Sequence, residues 1–135
     1  MSLRIEAESG AQAQLASLLK RVGYNVVTSK TIRGQSGTDH TFDIYAQKEG
    51  SEVTVDILSG KKEVHADSLL AFFAKTYDTQ PLRPILVVVP RLSTEARRLN
   101  TLYDFETVEA ESIEQAVAKL EELLNKPNET RFRLQ

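Results

Sequence analysis

The run PILVVVP, residues 84–90, constrains the fold more than any other stretch. It is apolar at every position between two prolines, which is how a strand buried on both faces reads. Such a strand sits inside a sheet and needs cover above and below. The segments on either side supply it. In "DSLLAFFAKTYD", residues 67–78, Leu69, Leu70, Phe72, Phe73 and Tyr77 recur at helical spacing, with Asp67 as the expected cap and the aromatics as expected core. In "STEARRLNTLY", residues 93–103, a Ser or Thr cap precedes Ala96, Leu99 and Leu102. Strands separated by helices become parallel neighbours.

Upstream, "AQAQLASLLKRVGY" carries Leu15, Leu18, Leu19 and Val22 on one helical stripe, with Gly23 where the helix should stop. The β-branched "YNVVTSKTI" reads as a strand, "RGQSG" as a glycine-rich turn, and "GTDHTFDIYAQKEGSEVTVDIL", residues 37–58, as a β-hairpin. Downstream, "FETVEA" is a short strand and "SIEQAVAKLEELL" an amphipathic closing helix. The order predicts an α/β three-layer sandwich around a mixed sheet, because the hairpin must be antiparallel and the crossovers parallel. A chain of 135 residues suits one core. Residues 1–126 are therefore read as a single domain and residues 127–135 as a frayed tail.

Composition narrows the chemistry. With 41% hydrophobic and 27% charged residues, the chain has the balance of a soluble globular protein. It has no cysteine, which excludes disulfides, thiolate metal sites and cysteine nucleophiles. No apolar run reaches the ~18 residues of a membrane helix, and the first ten residues lack a signal-peptide pattern. A cytoplasmic protein with no membrane partner is the expectation. A net charge of −2 provides no bulk attraction to nucleic acid, so a DNA partner would require a local basic patch.

The hairpin can be registered by arithmetic. With Glu49 and Gly50 as the central turn residues, Lys48 faces Ser51 and Asp43 faces Asp56. Alternation then gathers Phe42, Ile44, Ala46, Val53, Val55 and Ile57 on an apolar face, and Asp43, Tyr45, Gln47, Glu52, Thr54 and Asp56 on a polar one. Like charges placed opposite each other cost up to about 1 kcal/mol, so this pair calls for a cation or for open water. Mg²⁺ is the natural cation, since it takes one or two carboxylates and completes its shell with water and phosphate oxygens.

Helix, strand, glycine-rich turn, an aspartate on one strand and an acid on the next: this arrangement resembles the PD-(D/E)XK nuclease superfamily, in particular Mrr-type restriction endonucleases and archaeal Holliday-junction resolvases. The resemblance covers roughly residues 10–90. It implies a restriction-endonuclease-like fold, Asp43 as the first metal ligand, and Asp56 in "VDIL" as the acid of the D/E-x-K element, with Mg²⁺ as cofactor and DNA as partner. It also implies outer-ligand roles for Asp39 and His40. Two positions depart from the pattern. The lysine two residues after the second acid is Leu58 here, and the glutamate that many members carry on the first helix is replaced by Gln12 or Gln14, with Glu8 one turn earlier. In some members the lysine migrates, and Lys61, Lys62 and Lys75 are the residues placed to replace it.

Other motifs lead nowhere further. His40 and His65 lack the partners of a zinc site, "RGQSG" is no Walker loop, and no Gly-x-Ser-x-Gly elbow exists. Arg91, Arg97 and Arg98 near a helix start suggest a phosphate-binding edge or a solvated face. Three readings stand. Leu58 and the negative charge favour a degenerate nuclease kept as a nucleic-acid or protein binding module. The alternatives are an active Mg²⁺-dependent endonuclease with Lys61 or Lys75 in the lysine role, and an unrelated α/β regulatory domain. Assembly as a homodimer stays open.

Overall fold

The computed structural model describes the backbone of residues 3–126 and the side chains of residues 10–126. The expected tail, residues 127–135, lies outside the described residues. The elements run α1 (Leu3–Arg21), β1 (Asn25–Arg33), β2 (Asp39–Lys48), β3 (Ser51–Ser59), α2 (Ala66–Thr79), β4 (Pro84–Val89), α3 (Thr94–Tyr103), β5 (Glu106–Glu109) and α4 (Ile113–Leu124). The five strands pair in chain order; β1, β2 and β3 are antiparallel neighbours, and β3, β4 and β5 are parallel. This is the mixed α/β sandwich that the element order predicts.

Strand β4 explains the layering. Ile85 and Val87 join Leu15, Leu18 and Leu19 of α1 and Ala116 and Leu120 of α4 in one core, while Leu86 and Val88 join Leu69, Phe72 and Phe73 of α2 and Ala96 of α3 in the other. Alternate side chains of one strand thus feed two opposite cores, which is why its run has no polar position. Among the described residues no helix is long and apolar enough to cross a membrane.

Local signals act as the sequence suggests at several ends. Gly23, at φ 106, closes α1 with Tyr24 N–H donating to Leu19 O and Gly23 N–H to Lys20 O, a Schellman arrangement that needs the left-handed glycine. Ser93 caps α3 by accepting from Ala96 N. The hairpin pairs Ile44 with Val55 through to Lys48 with Ser51, the register expected from a Glu49-Gly50 turn, with Gly50 at φ 74.

Other expectations need correction. Helix α1 begins at Leu3, before the segment read as helical. Helix α2 begins one residue before Asp67, so that carboxylate lies in the first turn and accepts from Ser68 N, while His65 occupies the cap position without a side-chain bond. Tyr77 is 81% exposed, so it does not belong to the core. Tyr77 follows Phe72 by five residues, about 140° around the helix, which carries it off the buried stripe.

Candidate active site

Asp43 and Asp56 occupy the position after Ile44 and Val55, where the β2–β3 ladder stops. Their carboxylates take over from it. Asp43 N–H donates to Asp56 Oδ1 at 3.1 Å, and Ile57 N–H donates to Asp43 Oδ2 at 2.8 Å. The two aspartates thus hold each other's strands through backbone amides. The other edge of β2 is open at the same level. Thr28 pairs with Ile44 and Lys30 with Phe42, but no ladder pair joins Ser29 to Asp43, and Ser29 takes φ 53. Gln12 fills that gap, its Nε2 donating to Asp43 O at 2.7 Å and to Ser29 Oγ at 3.2 Å. Backbone groups inside a fold must find partners, and at Asp43 side chains provide them on both sides.

The cation that the facing acids call for comes from α2. Lys75 Nζ stands 2.8 Å from Asp56 Oδ1, donates to Thr41 O at 2.9 Å and lies 4.5 Å from the Phe42 ring centroid. The Lys75 side chain is 17% exposed and that of Asp56 5%. A pair this deep is held by geometry, since removing either partner strands a buried charge. Asp56 Oδ1 receives two donors, whereas Asp56 Oδ2 is buried with no hydrogen-bond partner among the described residues. Leu58, in the position of the missing lysine, lines the same cleft of about 270 Å³ beside Phe72 and Ser68.

The remaining candidates distribute as follows. Gln12 reaches the site; Gln14 is exposed, and the side chain of Glu8 lies outside the described residues. Asp39 is bound to Arg33 at 2.9 Å on the surface and does not line the cleft. His40 lines the cleft, with its Nε2 held 2.7 Å from Asp78 Oδ2. Lys61 and Lys62 are exposed in the loop after β3 and line a neighbouring cleft that shares Ser68 with the first; neither ion-pairs with the aspartates. His65 is exposed and near Glu63. Arg91 and Arg97 are engaged by Glu111 and Glu109, so the expected phosphate edge is an ion-paired surface. No group of three or more metal-binding side chains exists among the described residues.

Asp78 is the residue that sequence reasoning missed. It accepts from Ser36 N at 2.8 Å and Ser36 Oγ at 2.7 Å in addition to His40, and its backbone O accepts from Gln35 N. The Ser36 and His40 bonds hold its carboxyl below the usual carboxylate range. A Cβ at Gly34 would collide with this carboxylate. The signal lay in the glycine of "RGQSG", which marks a close approach without naming the partner. Elsewhere on the polar face, Tyr45 Oη donates to Glu52 Oε2 at 2.7 Å, and that bond, followed by burial and the Glu52 charge, raises the phenol's pKa.

Comparison with known proteins adds fold but no activity. No family model matches the chain. It is 29% identical to an uncharacterized protein of Archaeoglobus fulgidus, across 82% of this chain and 94% of that one. It also superposes on the crystal structure of a protein of unknown function, AF1548, with a TM-score of 0.60 at 14% identity, over 72% of this chain. The chain spans only 56% of that protein's length, and at this identity the likeness is one of fold alone.

Proposed function

We propose that this protein is a metal-dependent phosphodiester hydrolase acting on DNA, a restriction-endonuclease-like nuclease whose lysine comes from a helix instead of from the strand of the second acid. The observation that carries this reading is the 2.8 Å approach of Lys75 Nζ to Asp56 Oδ1, which sets an ammonium beside the two facing acids although position 58 is leucine. The residues present fit a hard divalent cation. The donors are carboxylate oxygens, and the buried Asp56 Oδ2, without a hydrogen-bond partner among the described residues, is an acceptor that a cation would satisfy. Asp56 and Asp43 would hold Mg²⁺, which when bound supplies Lewis-acid polarisation of the phosphate and an acidified water.

The chain's own groups do the rest. Gln12 fixes the Asp43 backbone through its carbonyl, and Ile57 N–H holds one carboxylate oxygen in place. Lys75, anchored on Thr41 O, carries positive charge at the cleft where a phosphate would gain negative charge in the transition state. Leu58 and Phe72 supply apolar lining beside those groups. The exposed Lys61 and Lys62 beside the cleft offer ammonium groups to a phosphate backbone, although Glu63 and Asp67 line the same neighbouring cleft.

The test is cleavage of plasmid, linear duplex and branched DNA with Mg²⁺ or Mn²⁺ by the wild type and by Lys75→Ala. Cutting by the wild type that falls by roughly 10²- to 10⁴-fold in a folded Lys75→Ala supports the reading. Cutting that is indifferent to Lys75 counts against it. A second reading, a binding module with an inert centre, is favoured by one observation: Lys75 already neutralises Asp56 and is engaged by Thr41 O and the Phe42 ring. DNA binding without cleavage by any variant would select it.

A further inference from the structure

The glycine-rich turn is left without a role by the reading above, yet it builds one of the most heavily bonded polar clusters in the molecule. Gly34 N–H donates to Thr38 O and Gly37 N–H to Gly34 O, closing a turn that carries Ser36 onto the end of α2. There Ser36 gives both its amide and its hydroxyl to Asp78. With those two donors in place, the Asp78 carboxylate has one fixed orientation, and it holds His40 Nε2 at 2.7 Å. Gly34 is the residue that lets the turn lie against this carboxylate, since any side chain there would strike it.

The position of this pair gives it meaning. Asp78 follows Lys75 by three residues on α2, so the two side chains rise from neighbouring places on one helix face. Lys75 also donates to the carbonyl of Thr41, the residue after His40. The Asp78–His40 pair therefore adjoins the Lys75–Asp56 pair, and His40 lines the same cleft as Asp43, Asp56 and Lys75 while its side chain remains 21% exposed. A histidine oriented by a fixed carboxylate through one ring nitrogen keeps the other available for proton transfer.

We infer that His40, oriented by Asp78, is the general acid that protonates the leaving oxygen of the phosphodiester. This rests on the nuclease reading and adds to it a group that the acids and the lysine do not supply. In the step, a water oxygen forms a bond to phosphorus and gives up a proton to solvent. The bond from phosphorus to the leaving oxygen breaks with its electron pair staying on that oxygen, which takes the proton from His40 Nδ1. His40 regains a proton from solvent. Asp78 keeps the ring aimed throughout.

A leaving group that needs no proton separates this role from a structural one. The experiment compares Mn²⁺-supported hydrolysis of duplex DNA and of bis(p-nitrophenyl) phosphate by the wild type and by His40→Gln, whose amide can still donate to Asp78. The expected result is a loss of about 10²-fold or more on DNA and of under about tenfold on the activated diester. Equal losses on both substrates, in a variant that melts like the wild type, overturn the general-acid role and leave the nuclease reading intact. A wild type that hydrolyses neither substrate overturns both. If His40→Gln does not fold, Asp78→Asn carries the same comparison, with the loss again expected to fall more heavily on DNA.

Discussion

Lys75 on α2 and Asp56 on β3 meet at 2.8 Å across the boundary between helix layer and sheet, and each is the other's answer to burial. Asp56 without Lys75 would leave a carboxylate facing Asp43 in a pocket floored by Leu58 and Phe72. We therefore expect Lys75→Ala to lower unfolding free energy by about 3–5 kcal/mol, and Asp56→Asn combined with Lys75→Met to lose much less, because no charge is then stranded. Urea denaturation of the three proteins checks this. Similar losses in single and double variants would contradict the pairing.

Metal binding should depend on both acids. Asp56 Oδ2 is the acceptor without a partner among the described residues, so Asp56→Asn is expected to abolish a Mn²⁺-induced rise in melting temperature and Asp43→Asn to weaken it at least tenfold in apparent affinity. Isothermal calorimetry gives the affinities. Equal binding by wild type and both variants would move the metal elsewhere.

Asp78 titrates below an ordinary aspartate, held down first by Ser36 and then by His40. A carboxyl with a depressed folded-state pKa contributes stability that is fully present above its unfolded value of about 3.9 and lost as pH falls through the lower folded value. The melting-temperature gap between wild type and Asp78→Asn should thus shrink as pH falls below about 4. A gap that grows as pH falls below about 4 would reverse the assigned sign.

Gly34→Ala should act through Asp78. The added methyl meets a carboxylate fixed by Ser36 and His40, so accommodating it must break those bonds, at a cost of about 1–3 kcal/mol. In an Asp78→Ala background the same substitution should cost far less. Thermal melts of the four proteins form the cycle, and additive losses would show that Gly34 and Asp78 do not meet.

What could be read from the sequence divides by distance along the chain. The facing of Asp43 and Asp56 followed from a two-residue turn and a period of two, both local, and the ladder from Ile44–Val55 to Lys48–Ser51 agrees with it. The apolar β4 declared its two-sided burial for the same reason. Leu58 was equally legible and pointed towards an inert site. Lys75 was one of three lysines that could take the place of Leu58; that it and not Lys61 or Lys62 meets Asp56 was hidden, because the meeting depends on how α2 lies on the sheet after a six-residue loop, residues 60–65, that includes the Val64–Leu92 bridge. Asp78 was hidden likewise: it looked like the polar end of a helix, and only the folded turn brings Ser36 and His40 to it. Tyr77 misled because an aromatic residue in a helix says nothing by itself about which side it faces.

The hairpin and the helix belong to different stretches of chain, and this gives the Lys75–Asp56 contact a role in assembly order. A nascent hairpin on its own brings two negative charges together with only backbone amides to hold them, a local arrangement whose charge weakens its own closure at that end. Docking of α2 removes the opposition and completes the centre in one movement. Until then the acids have no ammonium beside them, so the partly formed chain is disarmed: whatever chemistry the centre performs switches on only when the second helix has been seated on the sheet.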